Sequence, residues 1–164
     1  MNKFVKKVNT YSKRARSEVF MIQEDTIKLL RECDSGIKMG VASIDEVESY
    51  VNNKEFLNLL NVCKHEHDKL KDEIQVLLDK YQDEGKDPNP MAKGMSWIKT
   101  NVMLVINESD ETIADLMTDG CNMGVKSLNK YLNKYKAADE VSKDITKRLI
   151  NLEEKLAIDI RKFL

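Results

Sequence analysis

The sequence contains little glycine and little proline, with six and two copies in 164 residues. Both residues interrupt regular helices, so a chain with so few of them can form long helices. No run approaches the roughly eighteen consecutive apolar residues of a transmembrane helix, so no membrane-spanning segment is predicted. The N-terminal stretch also lacks an apolar core followed by a small-residue cleavage site, so a secretory signal is not expected.

Cysteine is scarce as well, and the charge is balanced. Cys33, Cys63 and Cys121 are an odd number at wide spacing, which argues against a disulfide framework and predicts a reducing, cytoplasmic location. The 27 basic and 28 acidic side chains give a net charge of −1. Such a balance provides no general attraction to nucleic acid, so no nucleic-acid partner is predicted.

Apolar residues recur every three or four positions along most of the chain, which is the pattern of helices that bury one face. The stretch DEGKDPNP, residues 83–90, contains both prolines and is the strongest interruption of this pattern. Asn52 and Asn53, Ser109 and Asp139 stand where side chains can cap the first turn of a helix. The sequence therefore predicts an all-α fold. The predicted helices cover about residues 17–51, 53–83, 91–107, 110–135 and 139–163.

One motif occurs twice. GIKMGVASI, residues 36–44, returns as GCNMGVKSL, residues 120–128, and each copy contains Gly-x-x-x-Gly inside a predicted helix. Each helical glycine costs about 0.5–1 kcal/mol relative to alanine, so the motif needs a compensating gain. Because each copy lies in the first helix of a predicted antiparallel hairpin, we interpret the motifs as points where the two hairpins pack closely. The alternative is that the glycines make room for a bound ligand.

Further stretches resemble a known group of proteins. They are LLRECDSG (29–36), KGMSWIK (93–99), ETIADLMTDG (111–120) and YLNKY (131–135). Together they resemble small bacterial ferritin-like four-helix-bundle proteins of unknown function, over roughly residues 22–164. The resemblance implies two helical hairpins joined by a long crossover, which here contains the helix 91–107. It implies a fold and no activity.

The di-iron chemistry of ferritin-like proteins needs Glu-x-x-His on two of the four helices. The two histidines, His65 and His67, both lie in the second predicted helix, and Lys64 stands where the glutamate before His67 is needed. The last helix has Glu153 and Glu154 but no histidine. We therefore expect that the di-iron site has been lost.

An atypical metal site is a second hypothesis. If the turn between the first two long helices centres near residue 50, Cys33 lies level with His67, and Cys63 lies one helical turn from His67 on the same face. By the 86-residue offset between the hairpins, Glu153 is the counterpart of His67. These four residues have the ligand types that bind zinc or iron. The alternative is that the cysteines are small core residues and that a hydrogen bond satisfies His67.

The first sixteen residues form a separate basic extension, with six basic and no acidic side chains. We interpret residues 1–16 as a helical extension that is solvated or docks on a partner subunit. The alternative is an arm for anionic lipid, nucleic acid or a targeting receptor.

The sequence favours a non-enzymatic cytoplasmic protein that acts by self-association or by binding another protein. Residues 91–107 are apolar on more than one face, so this helix is predicted to contact a second protomer and make a homo-oligomer. No cofactor is expected under this hypothesis. The second hypothesis is a metal-binding protein with the Cys/His/Glu site. No phosphate-binding glycine loop, Cys-x-x-Cys pair or Ser-His-Asp set indicates an enzyme.

Overall fold

The computed structural model describes residues 3–88 and 109–164, with the side chains of the first helix described from residue 13 onward. All regular structure in this part of the chain is helical, which confirms the predicted all-α class. Four helices form a bundle, and none of those described is long and apolar enough to cross a membrane. The predicted helix 91–107 lies outside the described residues. The helices are α1 (Lys3–Val47), α2 (Lys54–Lys80), α3 (Asp110–Lys134) and α4 (Glu140–Asp159), with a 3-10 turn (Ile160–Phe163) after α4.

Three helices begin where polar side chains cap them. The side chain of Asn53 accepts hydrogen bonds from the backbone of the first turn of α2. Ser109 accepts one from the backbone N–H of Thr112 at the start of α3, and Asp139 accepts one from Ser142 at the start of α4. These bonds satisfy N–H groups that have no partner within the helix. The predicted starts of these helices lie within one residue of the observed ones.

The first helix differs from its predicted bounds, because α1 begins at Lys3 and not near residue 17. The basic extension is therefore continuous with the helix that enters the bundle. No glycine or proline precedes Gly36, so the sequence contains no signal that would stop the helix earlier. Every described side chain from residue 13 to 24 is exposed, and the first buried one is Thr26. We call residues 3–24 of α1 the arm.

Hydrogen bonds mark the two ends of the bundle. At one end, the backbone N–H of Ala137 donates to Asp25 and that of Asp139 donates to Thr26, so the turn between α3 and α4 packs beside α1 where the arm ends. At the other end, the backbone N–H groups of both residues before α2, Asn52 and Asn53, donate to the Asp110 carboxylate. The helices α2 and α3 therefore begin at the same end, and α1 runs antiparallel to both.

The core of the described residues consists of two large apolar clusters along the bundle and a small third one of Leu29, Tyr135 and Ala138. One lies near the α1–α2 turn and includes Ile44, Phe56 and Ile113. The other lies towards the arm and includes Leu30 and Leu70. The imidazole of His67 and the carboxylate of Glu153 lie between the two clusters, since His67 stands on α2 between Cys63 of the first and Leu70 of the second.

Candidate functional site

A groove opens between α1 and α3, and both Gly-x-x-x-Gly motifs line it. Gly36 and Gly40 form part of one wall, and Gly120 and Gly124 form part of the other. The cavity in this groove has a volume of about 220 Å³. The two copies of the repeated motif therefore line the same groove, and each hairpin contributes one of its walls.

The edges and the floor of the groove differ in chemistry. Met39 on α1 and Met123 on α3 line it with side chains that are 46% and 54% exposed. His67 from α2 and Glu153 from α4 line its floor. No lysine or arginine is among the described lining residues. Glu32, which pairs with Lys86, is a second carboxylate on the α1 wall, and the remaining lining is mostly apolar. The groove is therefore an apolar channel with a single ion pair at its base.

The glycines do not bring two backbones together, which corrects the close-packing interpretation. A Cβ atom added to Gly36 or Gly120 would meet nothing within 4 Å in the described part of the chain. A Cβ on Gly40 would lie 3.0 Å from Nε2 of His67, and one on Gly124 would lie 3.6 Å from the Glu153 carboxyl carbon. Gly40 thus leaves space for the His67–Glu153 pair, whereas Gly36 and Gly120 leave the groove open.

Both ring nitrogens of His67 are hydrogen-bonded. Its side chain is 1% exposed; Nδ1 lies 2.9 Å from the backbone oxygen of Cys63, and Nε2 lies 2.9 Å from Oε1 of Glu153. A carbonyl and a carboxylate both accept hydrogen bonds, so both ring nitrogens donate and the imidazole carries a proton on each. The pair is an imidazolium next to a carboxylate.

The pKa of His67 agrees with this assignment. Burial acts to lower it, but the hydrogen bonds to Cys63 and Glu153, with the negative charge of Glu153, outweigh burial and raise the pKa from 6.5 to about 10. The imidazole is therefore positively charged near neutral pH. A permanently protonated histidine cannot act as a general base at that pH.

Both cysteines near this pair are buried, and Cys121 is a poor nucleophile. Cys121 on α3 is buried, and burial together with the negative charge of Glu153 raises the pKa of its thiol. Cys63 is 97% buried, and its Sγ atom lies 3.5 Å from Nδ1 of His67. Because the thiolate is the nucleophilic form, a buried thiol with a raised pKa is a poor nucleophile. The floor of the groove therefore combines a buried ion pair with buried thiols.

The structure brings together three of the four predicted metal ligands. His67 contacts both Cys63 and Glu153, the residue that the repeat offset gives as its counterpart in the other hairpin. Cys33 lies in the cluster nearer the arm, where its Sγ is 3.2 Å from the hydroxyl of Thr146, and burial raises its thiol pKa to about 12. Among the described residues, no group of three His, Cys, Asp or Glu side chains has an arrangement that could hold a metal ion.

Two residues of the site were absent from the sequence-based set. Cys121 lies beside Glu153, and Gly40 lies against the ring of His67. The repeat is the signal that could have identified them, because Gly40 lies in its first copy and Cys121 lies in its second. Their position relative to the histidine depended on how the helices pair, which the repeat alone does not fix.

No family model, curated protein or solved structure matches this chain. The resemblance to small bacterial ferritin-like proteins therefore stays a prediction.

Proposed function

We propose that this protein is a non-enzymatic helical-bundle protein that acts by self-association, and that the arm of α1 provides its main contact surface. The observation that carries the proposal is a run of four apolar side chains on the arm. Val19, Phe20, Met21 and Ile22 are 64%, 68%, 51% and 40% exposed. Adjacent exposed apolar residues on a protruding element are typical of a protein–protein contact.

The energetics of isolated helices support the same proposal. Helices gain most of their stability from packing an apolar face against other elements, and an unsupported helix in water is marginal. The described side chains of the arm make no such packing, since all of those from residue 13 to 24 are exposed. A second protein surface would supply the packing that this part of α1 lacks.

The ferritin-like fold is part of the proposal. The helices α2 and α3 begin at the same end of the bundle, which is the relation that helices B and C have on either side of the crossover in a ferritin-like bundle. The predicted contact through residues 91–107 belongs to this connection and lies outside the described residues. The three free cysteines support a reducing, cytoplasmic setting.

The test is the mass of the protein in solution. Light scattering of the wild-type chain over a concentration series is expected to show a mass above that of the monomer. The double variant Val19→Glu/Ile22→Glu is expected to be a folded monomer, because it places charges in the proposed contact. The control Val62→Glu/Val76→Glu changes residues on α2 that are 54% and 58% exposed, and it is expected to associate as the wild type does. A wild-type chain that is strictly monomeric at high micromolar concentration contradicts the proposal.

The metal-binding hypothesis remains the alternative, and one measurement separates it from self-association alone. Metal analysis of protein purified without a histidine tag would find stoichiometric zinc or iron if Cys63, His67 and Glu153 hold an ion. The metal would then be lost in His67→Gln and retained in His65→Gln, whose side chain is exposed. We expect no metal that depends on His67, because Glu153 and the Cys63 carbonyl already engage both ring nitrogens.

A further inference from the structure

We propose that the groove between α1 and α3 receives the arm of a second copy of this chain, with the two copies exchanging arms symmetrically. The inference rests on the proposed self-association and adds the surface that the arm binds. In this arrangement the incoming arm lies antiparallel to α1 and parallel to α3. Each copy donates one arm and presents one groove, so the contact is closed and has two-fold symmetry.

The first support is the continuity of the apolar seam of α1. In the bundle, Thr26, Leu29 and Cys33 lie on this seam and are buried. The sequence continues the same alternation of three and four positions backwards through the arm. The seam positions of the arm are Val5, Val8, Ser12, Ala15, Val19 and Ile22. The arm therefore has a face of the kind that packs on helices elsewhere in α1, and that face is narrow because several of its side chains are small.

The second support is the shape of the groove. A helix that docks between two others needs walls without bulky side chains, and Gly36 and Gly120 provide such positions on the two walls. Nothing in the described part of the chain lies within 4 Å of a Cβ built on either glycine. The exposed side chains of Met39 and Met123 stand beside them and can adapt to an apolar helix face.

The third support is length. The groove follows α1 from residue 32 to residue 44, which is about 18 Å of helix at 1.5 Å per residue. The arm is about 33 Å long by the same measure, so it covers the whole groove and extends beyond one end. In the proposed orientation, the part that extends beyond the groove is the basic N-terminal part of the arm.

The fourth support is charge complementarity along α3. Asp115 and Asp119 lie in its first half, and Lys126 and Lys130 lie in its second half; all four side chains are exposed. The arm has the matching order, with six basic residues and no acidic one up to residue 16, followed by Glu18. An arm parallel to α3 places its basic part next to the aspartates and Glu18 next to the lysines. The opposite orientation places like charges together, so charge selects one direction.

Filling the groove tests the inference without touching the arm. Gly36→Leu/Gly120→Leu places side chains where the incoming helix would lie, and it is expected to give a folded monomer by circular dichroism and light scattering. The control Ala42→Leu makes a comparable addition at an exposed position of α1 that does not line the groove, and it is expected to associate as the wild type does. If the glycine variant associates normally, the groove is not the docking site and the inference is wrong. If it unfolds while Ala42→Leu does not, the two glycines do not face open space in the folded chain, which also overturns the inference.

Cross-linking locates the arm independently. The native cysteines are buried, so introduced exposed cysteines are the reactive ones. A mixture of Ala15→Cys protein and Met123→Cys protein, treated with a short bismaleimide, is expected to yield a covalent dimer containing one chain of each. Dimers of Ala15→Cys chains alone would mean that arms pair with arms, which overturns the groove assignment but leaves self-association standing. If the protein associates but neither cross-link forms, the groove assignment is likewise wrong and self-association still stands. A strictly monomeric wild type overturns both proposals.

Discussion

The His67–Glu153 pair is the most constrained contact at the residue scale. Removing one partner of a buried ion pair costs far more than the pair contributes in place, because the remaining charge loses its compensation. The Glu153 side chain is 12% exposed and His67 is 1% exposed, so neither charge has enough water to replace its partner. The pair therefore fixes how α2 and α4 face each other across the floor of the groove.

The stability of the fold is expected to fall as the pH rises because of His67. Its pKa is about 10 in the folded chain and about 6.5 when unfolded. The folded state therefore holds a proton that the unfolded state has lost between these values. The stabilisation is complete below pH 6.5 and is lost as the pH approaches 10, with a slope of at most about 1.4 kcal/mol per pH unit.

Urea denaturation between pH 6.5 and 8.5 measures this slope and avoids the higher pH range, where the cysteine thiols of the unfolded chain also ionise. His67→Gln is expected to be destabilised at pH 6.5 and to lose most of the pH dependence. His65→Gln, at the exposed neighbouring histidine, is expected to keep the wild-type slope. A wild-type midpoint that stays constant or rises over this range would show that His67 is neutral in the folded chain.

Alanine at the glycines should separate those that face open space from those that face the ion pair. Gly36→Ala and Gly120→Ala are expected to raise the urea midpoint, by up to about 1 kcal/mol of free energy each, because helix propensity improves and the added methyl meets nothing within 4 Å. Gly40→Ala is expected to destabilise the fold, since its Cβ would lie 3.0 Å from Nε2 of His67. Lower midpoints for Gly36→Ala and Gly120→Ala would restore the close-packing interpretation.

The sequence grouped Cys33, Cys63 and Glu153 with His67 as candidate metal ligands, but the structure has Cys33 beside Thr146 and not level with His67. Cys33 and Gly40 are seven residues apart, so they lie on nearly the same face of α1 about 10 Å apart along it. The structure has Gly40 against His67. A pattern of apolar residues repeats after seven positions, so it identifies the face and leaves the register open. Side chains also point towards the N-terminus of their own helix, so facing residues of antiparallel helices do not meet at equal backbone height.

At the scale of elements, the sequence predicted the starts of α2, α3 and α4 but not the start of α1. The starts of α2, α3 and α4 follow from short-range capping chemistry, which can be read from a few adjacent residues. The start of α1 has no such signal, because its sequence remains compatible with helix through the change from the basic arm to the bundle. A change in composition at residue 16 marks a change of surroundings and not a change of secondary structure.

Asp110 joins the two hairpins, and its removal is expected to weaken the fold. Its two carboxylate oxygens accept hydrogen bonds of 2.8 and 2.9 Å from the backbone N–H groups of Asn52 and Asn53. Asp110→Ala removes two charge-assisted hydrogen bonds and is expected to cost about 1–3 kcal/mol of unfolding free energy. Asp72→Ala, on α2, removes an exposed carboxylate outside both the turn and the groove and is the matched control. Equal urea midpoints for the two variants would show that the α1–α2 turn does not depend on Asp110.

At the scale of the whole molecule, a net charge of −1 conceals a strong separation of charge. The first sixteen residues hold six of the 27 basic side chains and none of the 28 acidic ones, so the rest of the chain has seven more acidic than basic side chains. Because the arm projects from the bundle, this separation in sequence is also a separation in space. A molecule of this kind attracts a second copy of itself when the arm of each approaches the bundle of the other.

Self-association is therefore expected to weaken as salt is added. Contacts between exposed charges are screened over about 10 Å at 0.1 M ionic strength and over about 3 Å at 1 M, whereas purely apolar association does not weaken with added salt. Sedimentation at about 0.05 and 0.5 M sodium chloride is expected to show a several-fold weaker dimer at the higher concentration.

Asp119→Lys, which reverses a charge beside the groove, should weaken the dimer at low salt and reduce this salt dependence. Asp72→Lys makes the same change at an exposed site on α2 and should leave both unchanged. A dimer equally strong at both salt concentrations would mean that the apolar residues of the arm act without the charges, and that the direction of the docked arm is not set by them.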